Sequence, residues 1–88
     1  MQRTFIFYQD PSHGWVKVEI ALLWAMGIQK QISKCSYQRG EFAYLEEDAD
    51  LDVFFKAFKK QYGIEPILRE KIADKQSKIR SYESYNQY

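Results

Sequence analysis

Along residues 41–63, EFAYLEEDADLDVFFKAFKKQYG, the spacing of apolar side chains changes from two residues to 3.6. Phe42, Tyr44 and Glu46 alternate with Ala43, Leu45 and Glu47, which predicts a strand. Leu51, Phe54, Phe55, Phe58 and Tyr62 then recur at i, i+3, i+4, i+7 and i+11, one stripe of an amphipathic helix. Asp48 or Asp50 precedes that helix as an acceptor for its first free amides, and Gly63 follows it as a stop. Acids at its positive end and Lys56, Lys59 and Lys60 at its negative end match the helix dipole.

Residues 4–8, TFIFY, form a continuous β-favouring apolar run, the pattern of a central strand covered on both faces. Asp10-Pro11-Ser12-His13-Gly14 has turn chemistry: a side-chain acceptor, a fixed φ and a glycine. Residues 15–18 return as a second strand. Residues 19–26 are helical in composition, with Ile20, Leu23 and Trp24 on one stripe and Gly27 as the C-terminal cap. Ile28 and Ile32, four apart, predict one further helical turn. A hairpin follows, in which residues 35–38 and 41–47 flank Arg39-Gly40. Residues 67–72 alternate as a last strand with Leu68, Glu70 and Ile72 on one side, and Pro66 before it suits an edge or an entry position.

The element order is β-β-α-β-β-α-β, an α+β fold in which two helices cover one face of a mainly antiparallel sheet. After Asp74 the chain turns polar, KQSKIRSYESYNQY, with Ile79, Tyr82, Tyr85 and Tyr88 every three residues. We expect one compact domain over residues 1–73 and a tyrosine-rich tail over 74–88, either docked as an arm or partly disordered. A docked tail is expected to cover the sheet face opposite the helices.

Eighty-eight residues allow one core, because so short a chain buries only about 60–65% of its unfolded surface. Six Phe, seven Tyr and two Trp make that core aromatic. The formal charge of +1 sets up no global field towards nucleic acid or a membrane, but its distribution is uneven. Residues 41–52 carry six acids and no base, whereas 56–80 carry eight bases against three acids. Cys35 is the single cysteine, so neither an internal disulfide nor a four-thiolate zinc site can form. With no secretory leader pattern and no run of about 18–20 apolar residues, a cytoplasmic protein with no membrane contact is expected.

An Asp10–His13 pair is the arrangement with the clearest potential as a base or metal ligand. No G-x-S-x-G, H-E-x-x-H or P-loop accompanies it, so no nucleophile, oxyanion hole, phosphate cradle, metal or cofactor is indicated. Asp10 and His13 read more simply as turn residues, and Cys35 as a half-buried strand residue. The expectation is a protein that is not an enzyme. Glu46, Glu47, Asp48 and Asp50 lack the glycine and twelve-residue spacing of an EF-hand loop. Capping accounts for part of this cluster; as a surface, it joins Asp10, His13 and Trp15 of the neighbouring turn in a candidate protein-binding site. An alternative, nucleic-acid-binding surface combines Lys71, Lys75, Lys78 and Arg80 with Tyr82 and Tyr85, a mixture of cations and stacking rings.

The strings FYQDPSHGW at 7–15, SYQRG at 36–40, YLEED at 44–48 and SKIRSY at 77–82 resemble a group of small proteins carried by bacteriophages and plasmids. The resemblance spans nearly the whole chain and carries over no catalytic residue. It implies a mobile-element accessory protein of the bacterial cytoplasm that binds a host protein or complex, including as an inhibitor of a defence system such as CRISPR. Nucleic-acid binding is the alternative function.

Overall fold

A computed structural model describes residues 2–88. Six strands form one sheet: β1 (Thr4–Gln9), β2 (Gly14–Glu19), β3 (Tyr37–Arg39), β4 (Phe42–Glu46), β5 (Ile67–Ile72) and β6 (Glu83–Ser84). Their spatial order is β5-β1-β2-β4-β3-β6, and every pairing is antiparallel except that of β1 with β5. Two helices, α1 (Ile20–Ala25) and α2 (Leu51–Tyr62), pack on one face, which makes the fold α+β. Among the described residues no helix is long and apolar enough to cross a membrane.

The aromatic run of β1 lies inside the sheet, between β2 and β5. Phe5 and Phe7 point to the helices and are buried, while Ile6 and Tyr8 are half-buried on the other face. The α2 stripe meets them: Phe54 and Phe58 are fully buried, and the Phe5 ring sits edge-on to both, with centroids 5.1 and 5.6 Å apart. Burying one such ring contributes about 1.5–3 kcal/mol before chain entropy is counted. Gly63, at φ +75°, ends α2 by donating its amide to the Lys59 carbonyl.

Five local expectations are corrected. Residues 26–36 hold turns rather than a further helical turn, and Ile28 and Ile32 still reach the core. Trp24 is half exposed, since the short α1 turns Leu23 inward in its place, and its Nε1 donates to Gln87 Oε1. Cys35 lies exposed in the turn before β3 and not in a strand. Asp50 occupies the N-terminal position of α2 but makes no side-chain cap. Its buried carboxylate instead accepts from the Ser33 amide, Ser33 Oγ and Ser36 Oγ, tying the 33–36 turns to the start of the helix. The β3–β4 loop is also displaced by one residue, to Gly40-Glu41, with Gly40 at φ +59° in the first loop position.

Beyond β5 the tail passes over both faces of the sheet. A 3-10 turn at Lys78–Ser81 lies on the face opposite the helices, where Ile79 packs with Trp15 and Tyr44. β6 then pairs with the outer edge of β3, and Tyr85 enters the core beneath the helices with no exposure. The hydroxyls of Tyr85 and Tyr88 donate to the carbonyls of Gln29 and Ile32. The three-residue period of the tail therefore serves both sides of the β3 edge: Ile79 and Tyr82 pack on one face, Tyr85 fills the core on the other, and Tyr88 stays largely exposed beside it.

Candidate functional site

Two surfaces gather the residues with chemical potential. The first lies at the β1–β2 turn. There Asp10 accepts from the amides of Ser12 and His13, from Ser77, and from Arg80 through Nε at 2.8 Å and Nη2 at 2.9 Å. The Asp10 side chain is wholly buried, and the Arg80 guanidinium holds its carboxyl well below the usual carboxylate range, helped by the amides and opposed by burial. Asp10 is thus the anchor of the tail. The expected Asp10–His13 side-chain pair does not form; His13 Nδ1 instead lies 3.6 Å from Glu46 Oε1.

An open cleft of about 400 Å³ beside this clamp is lined by His13, Trp15, Cys35, Tyr37, Glu46, Asp48 and Arg80. Trp15 is buried beneath the cation of Arg80, 5.6 Å from the ring, and its Nε1–H has no hydrogen-bond partner. No hydrogen bond among the described residues joins Cys35 Sγ to His13, the contact that activates a thiol nucleophile. Among these residues, too, no three of His, Cys, Asp and Glu cluster so as to hold a metal ion.

Of the proposed protein-binding residues, the structure brings His13, Trp15, Glu46 and Asp48 to one cleft. It takes Asp10, Trp15, Glu46 and Asp50 out of solvent, because each serves an internal contact. Glu47, Asp48 and His13 remain exposed.

The second surface is the sheet face on which the tail lies. Strand alternation, fixed by Phe7 opposite Val16 and Val16 opposite Leu45 on the helix side, sends Tyr8, Lys17, Arg39, Phe42, Arg69 and Lys71 to this side. All four strand-borne bases of the described residues are here. Lys17 Nζ lies 4.1 Å from the Phe42 centroid, the Arg39 guanidinium 5.0 Å from Tyr82, and Lys71 Nζ 6.0 Å from Tyr8. Lys78 joins them from the 3-10 turn. Tyr8, Tyr44 and Tyr82 stand in a row, with adjacent centroids 6.3 and 5.1 Å apart. Burial, then the neighbouring rings of Tyr82 and Tyr8, push the Tyr44 phenol up, so it stays neutral.

This arrangement corrects the alternative site. Lys71, Lys78 and Tyr82 do face one surface, and Lys75 is exposed in the segment before the 3-10 turn. Arg80 is occupied by Asp10, and Tyr85 is buried on the other side of the sheet. Lys17, Arg39, Arg69, Tyr8 and Phe42 had no place in the nucleic-acid site expected from the sequence. Their signal was parity: each shares the odd or even phase of an outward residue in its own strand.

Comparison with protein-family models, curated proteins and solved structures finds no match to this chain.

Proposed function

We propose that the protein is a binding module, not an enzyme, that holds single-stranded nucleic acid on the tail-covered face of its sheet. The supporting observation is the placement of every strand-borne base on that one face, three of them beside aromatic rings. Cations track the phosphates of a single strand while rings stack on its bases, and a sheet face presents both without having to fit a duplex groove. Two strand acids share the face: Glu46, which is buried beside Trp15, and the exposed Glu19, opposite Phe42 at the end of β2. A net charge near zero limits this attraction to the local surface.

The test is fluorescence anisotropy of a labelled mixed-sequence 20-mer against increasing salt. If about four phosphates are neutralised, log K falls against log salt with a slope of roughly −3. Replacing Lys17, Arg39 and Lys71 together with Gln is expected to reduce that slope by about 2. No binding of DNA or RNA at about 50 mM salt would end the proposal.

A second reading is a protein partner at the turn corner, where Glu47 and Asp48 are exposed and have no ion pair among the described residues. It agrees with the resemblance to phage and plasmid proteins and with a cytoplasmic inhibitor of a host defence complex. Glu47→Lys with Asp48→Lys would then abolish capture of a purified host complex in the presence of nuclease, whereas the Gln variants of the basic face would leave it intact.

A further inference from the structure

Three tyrosine rings and the 3-10 turn enclose a small notch on the basic face. It is lined by Tyr8, Tyr44, Ser77, Lys78, Ile79 and Tyr82 and measures about 120 Å³. That is well below the roughly 300–1,000 Å³ of sites that enclose whole small molecules, so the notch suits one small group of a larger ligand. Tyr44, 8% exposed, is the most deeply placed of the three rings, while Tyr8 and Tyr82 are half-buried on either side of it. The Tyr44 ring is tilted 53° to Tyr8 and 58° to Tyr82, so the row is not a closed stack of its own rings.

The rim is cationic: Lys71 at Tyr8, Arg39 at Tyr82, and Lys78 in the lining itself. None of these three bases has a carboxylate partner among the ion pairs of the described residues. A planar group entering the notch therefore meets aromatic walls, and an anion attached to that group meets amines and a guanidinium outside it. An apolar side chain would satisfy the walls and leave the rim unused; a free phosphate would do the reverse.

We propose that the notch is a nucleobase site, in which one unstacked base of a single strand lies against Tyr8 and Tyr82 while its flanking phosphates face Lys71, Lys78 and Arg39. The proposal rests on the nucleic-acid reading above and adds to it that bases, not phosphates alone, are recognised. A duplex, whose bases are already stacked, cannot supply this contact.

The test compares a labelled 12-mer of oligothymidylate with an abasic 12-mer of the same charge. The intact protein is expected to bind the abasic strand roughly tenfold more weakly. Tyr82→Leu, which keeps an apolar cover over Tyr44, should remove most of that difference. Tyr82→Phe should retain it, because stacking uses the ring face and not the hydroxyl. Equal affinity for the two strands would overturn the base site and leave phosphate-directed binding standing. A preference for bases untouched by Tyr82→Leu, in a variant whose circular dichroism matches the parent, would overturn the notch as its location. Failure of both strands to bind would overturn the site and the nucleic-acid reading together.

Discussion

Asp10 shows how one side chain can hold two distant parts of a chain. Its buried carboxylate collects donors from its own turn and from residues 77 and 80, so the tail is pinned at the same atoms that close the β1–β2 turn. Arg80→Ala would leave a buried carboxylate without its cation and is expected to lower the urea midpoint of unfolding at neutral pH. Asp10 is held ionised in the folded state, so the unfolded chain takes up the proton first as pH falls. Its contribution is complete above pH about 4 and declines below it, and Asp10→Asn should flatten that part of the stability profile while lowering the plateau. Tyr85 behaves in the opposite sense. Burial, then the Tyr88 and Asp50 charges, push its phenol up to about 12, so its contribution is complete below pH about 10 and is lost as pH rises through the folded value. The turn role of Asp10 is legible in DPSHG; its bond to Arg80, seventy residues away, is not, because nothing local in the sequence encodes the pairing.

At the level of elements, the strands and α2 follow their patterns closely, and the points of control are where backbone meets side chain. Gly14 starts β2 beside Phe7, and a Cβ there would lie 2.6 Å from Phe7 Cζ and 2.9 Å from Cε1. The Phe7 ring is buried in the core and has little room to retreat. Gly14→Ala is therefore expected to lower stability by about 1–3 kcal/mol, read as a lower thermal midpoint with unchanged far-ultraviolet dichroism. β5 illustrates a different constraint. It is an edge strand with Arg69, Glu70 and Lys71 along it, charges that discourage a second sheet from pairing there. Pro66 and the alternation of residues 67–72 predict such a strand, but its parallel alignment with β1 follows from the path of the chain through α2.

For the molecule as a whole, the tail is structural. Ile79 and Tyr85 are each buried, in different cores, and each such burial contributes about 1.5–3 kcal/mol. Ending the chain at Asp74 removes both and also strips Asp10 of Arg80. The sum rivals the roughly 4–13 kcal/mol expected for a domain of this size. We expect residues 1–74 to lose the cooperative unfolding transition of the full chain by circular dichroism and calorimetry. Deletion of the tail therefore cannot isolate a binding role for it, which is why point substitutions on the basic face are the informative variants.

Periodicity and turn chemistry by themselves determined strands β1 to β5, the two helices, the α+β class, the aromatic core stripe of α2 and its glycine stop, since these depend on residues within a few positions of one another. The tertiary structure decided the strand order, the passage of the tail across both faces, the burial of Asp10 and Asp50, and the meeting of Tyr8, Tyr44 and Tyr82. Each of these joins residues far apart in the chain, and their free energy comes from pairings and desolvation that local preference does not specify. The basic face lies between the two: its parity was present in every strand, but only the packing of one sheet side against helices made the other side a common surface.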